Sequence, residues 1–175
     1  LVIAVGLLCA GVLSIRAAAT SRVAVLAIAA VDDFDPKQDG GSGGEHSAQV
    51  PLAIDGNLQT AWTTETYRKG KLSKHGVGLV VDLGAPRTVD TVTVHLTGQG
   101  TDLDLRVPIA AKDSAPMKTV DSWKVVAATK NAGEEASFDL HGSTQRFLLV
   151  YLTDLPAIGG GKYQGGIAEV VVSGS

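Results

Sequence analysis

Residues 89–96 (VDTVTVHL) alternate polar and apolar side chains with a period of two, which places Val92, Val94 and Leu96 on one face of an extended chain. The same period returns over residues 102–109, where Leu103, Leu105, Val107 and Ile109 point away from Asp104 and Arg106. Further short β-rich segments stand at 78–83, 123–129, 136–140, 146–153 and 167–173, with glycine and proline between them. Residues 23–30 (VAVLAIAA) read as a first strand, and 32–47 (DDFDPKQDGGSGGEHS) as a turn-rich acidic loop. No long amphipathic helix interrupts the series, and no internal repeat is visible. This pattern predicts an all-β sandwich.

The charge is unevenly spread. The chain has 175 residues and a net charge of −3, yet its first 31 residues carry only Arg16 and Arg22. Residues 32–175 hold all 18 acidic but 13 of the 15 basic side chains, a net charge of −5. Such a domain lacks the surplus of lysine and arginine that phosphate neutralisation demands, which argues against nucleic acid as a partner. The single cysteine, Cys9, excludes a disulfide framework or a cysteine zinc site within one chain.

Residues 1–15 (LVIAVGLLCAGVLSI) contain no charge. A spanning helix needs about 20 apolar residues, and this run reads as the end of a truncated transmembrane helix. A signal-peptide core and a buried soluble helix are the other readings, the first weakened by the lack of a basic flank before the run. Residues 16–22 then form a linker. Arg16 and Arg22 would favour a cytoplasmic location for the domain after them, but the charge rule compares two flanks and only one is present.

Several catalytic patterns fail on context. Gly40-Gly41-Ser42-Gly43-Gly44 satisfies G-x-S-x-G, but a nucleophile elbow needs a strand before the serine and a helix after it. Asp35, Asp39 and Gly40 partly match a calcium loop, except that Lys37 occupies a ligand position and His46 replaces the bidentate glutamate. His46, His75, His95 and His141 are scattered without metal-ligand spacing, and His95, among strand residues, reads as structural.

Residues 68–75 (RKGKLSKH) gather Arg68, Lys69, Lys71, Lys74 and His75. The plain reading is a solvated surface loop; the sharper one is an anion site for a wall polymer or lipid head groups. Both readings put these side chains in water.

The most informative stretch is 53–63, AIDGNLQTAWT. Its Asp-Gly-Asn turn, followed by Thr60, offers oxygens suited to a hard cation, and Trp62 re-enters apolar surroundings. The pattern resembles the A-x-D-G-N-x-x-T-x-W motif of the discoidin, or coagulation factor 5/8 type C, family. Val81-Asp82-Leu83-Gly84, Ser122-Trp123-Lys124-Val125, residues 146–152 and Ile167-Ala168-Glu169-Val170 extend the likeness over 23–175. At finer grain, the segments near Phe34, 60–67 (TAWTTETY), 75–84 (HGVGLVVDLG) and 152–156 (LTDLP) resemble the C-terminal extracytoplasmic domain of actinobacterial MviN (MurJ-type) lipid II flippase proteins.

The resemblance implies a galactose-binding-like jelly roll, with first and last strands adjacent, on the extracytoplasmic side of a cell membrane. It also implies a structural Ca2+ under the turn, with Asp55, Asn57 and Thr60 as loop ligands and Glu169 as the terminal carboxylate. Calcium takes six to eight oxygens, so backbone carbonyls would complete the set; a turn closed by hydrogen bonds and a salt bridge is the metal-free alternative. Trp62 and Trp123 match core tryptophans of the family. Tyr67, Tyr163 and Phe34 are then the aromatic candidates for a sugar platform.

A ligand surface is thus expected at Tyr67, Arg68, Lys69, Lys71, Lys74 and Tyr163, in a noncatalytic binding or accessory domain that contacts cell-wall glycan or a protein partner. A purely structural or regulatory ectodomain is the alternative. A hydrolase lacks any convergent acid–base pair in this sequence.

Overall fold

The computed structural model describes residues 23–68, 72, 74–110 and 113–175. The expected membrane helix at 1–15 and linker at 16–22 lie outside the described residues. Among the described residues no helix is long and apolar enough to cross a membrane. Strand accounts for 56% of them and helix for 9%, all of it short 3-10 turns.

Among the described residues ten strands occur in order: β1 (Ala24–Val25), β2 (Ala30–Phe34), β3 (Trp62–Thr63), β4 (Val77–Leu96), β5 (Thr101–Pro108), β6 (Trp123–Ala132), β7 (Glu135–Asp154), β8 (Ala157–Gly159), β9 (Lys162–Tyr163) and β10 (Gly166–Gly174). The two 20-residue strands organise the molecule. β4 and β7 pair antiparallel along nearly their whole length, with register shifts between Asp82 and Arg87 and between Val89 and Thr91. At that corner each strand passes from one layer of the sandwich to the other. The first half of β4 lies beside β2, while the second half of β7 lies beside β5, which β6 extends. The second half of β4 lies beside β10, which also pairs with β1 and β3. Sequence periodicity alone divides this ribbon into four strands at 78–83, 89–96, 136–140 and 146–153; bulges rather than chain breaks separate them.

The inner faces of both layers form the main core. Leu79, Val81, Leu105, Leu148 and Val150 meet Val92, Val94, Phe138, Val170 and Val172. Leu103, Leu105 and Val107 point inward as their alternation predicts, but Ile109 is 66% exposed because the strand ends at Pro108. The stretches 77–81 and 147–152 are buried on both faces, which explains their unbroken apolar runs. Their outer face carries a second cluster of Phe34, Val80, Phe147, Leu149, Tyr151 and Trp123, roofed by Val120, Ala115 and Met117. Phe34 meets Trp123 and Tyr151 edge to face, with centroids 6.0 and 5.9 Å apart, a preferred geometry for aromatic pairs.

The expected first strand at 23–30 divides. Ala24 and Val25 pair with Gly174 and Ser173, so the first and last strands are neighbours. The Leu26 N–H still bonds Val172, but that of Ala29 bonds Asp82. The chain therefore crosses between layers at 26–29, and β2 begins only at Ala30. It runs into the acidic segment, where Asp32 is exposed and Phe34 is wholly buried.

Candidate functional site

β2 and β7 end, and β4 and β10 begin, at one end of the sandwich: Phe34 pairs with Gly78, Val77 with Leu152, and Gly166 with Thr63. The connecting segments at this end are 35–46, the described residues between 64 and 76, and 155–165, which holds β8 and β9. A polar centre holds the first two together. Asp35 and Glu45 have side chains with 0% exposure, and the Lys74 side chain between them has 6%. Lys74 Nζ donates to Asp35 Oδ1 at 2.6 Å and to Glu45 Oε2 at 3.0 Å.

Loop 40–44 closes on the other oxygen of Asp35. Ser42 donates to Oδ2 from its N–H at 2.7 Å and from Oγ at 2.9 Å, and the Gly43 N–H adds a third bond at 3.3 Å. Gly41 lies so close that a Cβ there would collide with the Asp35 carboxylate, which is why this turn is glycine-rich. The G-x-S-x-G string thus wraps a carboxylate and presents no nucleophile. Burial works to raise the Asp35 carboxyl, but the bonds from Lys74 and Ser42 outweigh it and hold it below the ordinary carboxylate range.

Glu45 is the hub of the second loop. Its Oε1 accepts the Glu65 N–H and the Tyr67 hydroxyl, both at 2.7 Å, and its backbone carbonyl accepts Trp62 Nε1 at 2.7 Å. Burial first, and the Glu45 carboxylate second, push the Tyr67 hydroxyl far above its ordinary value, so it serves as a donor. Lys74 also lies 5.2 Å from the Tyr67 ring centroid.

The expected ligand residues are therefore divided. Tyr67 and Tyr163 come together, bonded backbone to backbone at 2.9 and 2.8 Å, and both are half-buried. Arg68 is exposed beside them, as is Lys162. Lys69 and Lys71 lie outside the described residues. Lys74 is not in the solvated loop, because its ammonium is committed to two buried carboxylates. Phe34 is no platform either, since it is wholly buried. Trp62 and Trp123, at 0% and 3% exposure, are core residues as expected. A lysine among basic neighbours gives no local signal of burial; its partners stand 39 and 29 residues away.

Next to this centre, Asp32, Asp33, Asp35, Lys37, Gln38 and Lys118 line an open cleft of about 520 Å³. The sequence pattern does not single it out, because Lys118 reaches it from the segment that roofs the outer cluster. Asp39, at the base of the same loop, is buried and accepts from Val120 N–H and Thr119 Oγ1.

The Asp-Gly-Asn turn lies elsewhere, against β10. Asp55 accepts from Asn57 N–H at 2.9 Å and from Thr60 Oγ1 at 2.8 Å, while Asn57 Oδ1 accepts the Gln59 N–H at 3.1 Å. Glu169 Oε2 accepts the Gly56 N–H at 2.9 Å, joining residues 113 apart in sequence. The four expected cation ligands thus converge on one turn. They supply two carboxylates, an amide and a hydroxyl, a hard-oxygen set suited to calcium. Among the described residues neither carboxylate has an ion-pair partner, although Glu169 is only 9% exposed. Nor, among those residues, do three or more His, Cys, Asp or Glu side chains cluster for a metal.

No family model matches the chain. Solved structures do. The CBM32 of AlyQ, in complex with 4,5-unsaturated mannuronic acid, aligns with a TM-score of 0.58 and 19% identity over 85% of this chain and 97% of that one. The fold is an all-β jelly-roll sandwich like that of this module. Chitosan-binding module 2 of a Paenibacillus sp. IK-5 chitosanase/glucanase, in complex with chitotriose, aligns at 0.56 and 19%, over 82% and 94%. The jelly roll of CpGH89CBM32-6 from Clostridium perfringens aligns at 0.55 and 12%, over 90% and 96%. At such identities the likeness bears on the jelly roll alone, which hosts many functions.

Proposed function

We propose that residues 23–175 form a noncatalytic glycan-binding module that works on the extracytoplasmic side of a cell membrane. The observation that carries this reading is the Tyr67–Tyr163 pair at the loop end, flanked by exposed Arg68 and Lys162, in a fold whose solved neighbours include carbohydrate-binding modules. Two half-exposed rings beside cationic side chains offer apolar sugar faces and anionic substituents a shared contact. The inward carboxylates Asp35, Asp39 and Glu45 face other loops of the protein and hold them in place, which turns them away from a bound sugar. The segments similar to the MviN extracytoplasmic domain support cell-wall glycan as the polymer and residues 1–15 as the membrane attachment. A structural Ca2+ held by Asp55, Asn57, Thr60 and Glu169 is part of the same proposal; its chemistry is charge neutralisation at the turn.

Titration with peptidoglycan fragments, and with neutral and anionic oligosaccharides, tests the reading. Y163A and R68A should each weaken binding, with affinity falling as salt rises, since exposed charge contacts are screened. Equal binding by wild type and both variants would move the site to the cleft at Lys37 and Lys118. No binding at low salt would leave a structural or regulatory ectodomain.

A further inference from the structure

We propose that Lys74 and Asp35 join in an intramolecular isopeptide bond, with Glu45 carrying the protons. The three groups are in direct contact. The Lys74 amine nitrogen lies 2.6 Å from Asp35 Oδ1, with no solvent between them. Asp35 Oδ2 accepts two backbone N–H groups and a hydroxyl, from Ser42 and Gly43, which polarise the carboxyl carbon and stabilise the charge of a tetrahedral intermediate. Glu45 Oε2 lies 3.0 Å from the same amine, within reach for proton transfer. Fixed geometry of this kind replaces a bimolecular encounter with an intramolecular one.

The step balances. Lys74 begins as an ammonium and Asp35 as a carboxylate. One ammonium proton passes across the 2.6 Å contact to Oδ1, leaving a free amine and a neutral carboxylic acid, and the amine attacks the Asp35 carboxyl carbon. Glu45 takes a second proton from the nitrogen and returns it to Oδ1. The Cγ–Oδ1 bond breaks, one water leaves, and Oδ2 remains as the amide carbonyl with its three donors in place. No oxidant, reductant or cofactor is needed.

Burial also supplies a driving force. One ammonium and two carboxylates out of water carry a net negative charge, and buried charges are costly even when paired. The amide removes two of the three. Tyr67 then remains as the donor to Glu45, and backbone donors remain on Oδ2. The bond would form whatever the module binds.

Intact-mass measurement of the purified, folded full chain is the test. The wild type should be lighter than its sequence by one water, about 18 Da, because amide formation expels that molecule. Trypsin should release a branched peptide in which residues 23–37 are joined to 72–87. E45Q, which keeps the shape of the side chain, and K74M should both show the full mass. The K74M control also separates this loss from a succinimide at Asp39–Gly40 or Asp55–Gly56. A folded wild type of full mass, without the branched peptide, overturns the proposal even if the variants fail to fold. An E45Q chain that is equally light overturns the role given to Glu45.

Discussion

The Asp39 carboxylate accepts the backbone N–H of Val120 at 2.6 Å, across 81 residues of chain. Its other oxygen accepts the Thr119 hydroxyl at 2.8 Å. These bonds seat the segment that roofs Phe34, Tyr151 and Trp123, and Trp123 Nε1 fastens it again by donating to the Pro116 carbonyl at 2.9 Å. Removing the carboxylate strands a buried N–H. D39A should cost about 2–3 kcal/mol in urea unfolding, the range for a lost charged hydrogen bond with an orphaned partner, and T119V about 1 kcal/mol. A D39A loss below a few tenths would mean that the roof is held by apolar contact alone.

Tyr151 supports the opposite expectation. Its hydroxyl is buried without a hydrogen-bond partner among the described residues, while Arg106 sits 4.8 Å from the ring centroid. Burial, and secondarily Asp39, push that hydroxyl well above its ordinary value, so it stays neutral. Y151F keeps the ring and deletes the unsatisfied oxygen. It should leave stability unchanged or raise it by up to about 1 kcal/mol, since an unmade buried bond is a penalty. Clear destabilisation would reveal a partner for the hydroxyl.

The corner between the layers carries a pH-dependent contact. Arg146 donates from Nε to Asp82 Oδ1 at 2.9 Å and from Nη2 to Oδ2 at 3.0 Å. This pair, helped by the Gly84 N–H against partial burial, holds the Asp82 carboxyl below its ordinary range. Between its folded and unfolded pKa the unfolded chain binds more protons, so stability rises with pH in that window. The contribution is complete above the unfolded value of about 3.9 and disappears as pH falls through the folded one. Both side chains are partly solvated, so D82N should cost only about 0.5–1 kcal/mol at neutral pH. That difference from wild type should vanish at acid pH. Parallel pH profiles for the two proteins would rule the contact out.

Much of the sandwich was legible because it is written locally. Val92, Val94 and Leu96 reveal their face through alternation, and 147–152 reveals two-sided burial through an unbroken apolar run. Trp62 announced its burial by motif. The crossing at 26–29 was not legible: the segment is uniformly apolar, and what divides it is a change of hydrogen-bonding partner from β10 to β4. Nor was the burial of Lys74, whose neighbours Arg68 and His75 are exposed while its partners are brought up by another loop. A composition window averages over such a residue; only the tertiary pairing distinguishes it.

The turn at Asp55 yields a metal prediction. If Ca2+ binds Asp55, Asn57, Thr60 and Glu169, it links the start of the domain to its last strand and therefore stabilises the fold. At 100 times its dissociation constant it should add about 2.7 kcal/mol, visible as a higher melting temperature that chelator reverses. E169Q should abolish that shift while keeping an oxygen to accept the Gly56 N–H. A melting temperature indifferent to calcium and chelator, with no metal by elemental analysis, would leave the turn closed by hydrogen bonds alone.

Strand β10 also works as a ruler. Its first residue pairs with Thr63 at the end that holds Tyr67 and the buried lysine, and its last pairs with Ala24. Nine extended residues set those two ends about 26 Å apart, at roughly 3.3 Å per step. Anything that grips the molecule beside Ala24 is held about that distance from Thr63, at the end where Tyr67 and Tyr163 lie. A small sugar can therefore meet one end or the other, whereas a molecule in touch with both at once has to be a polymer.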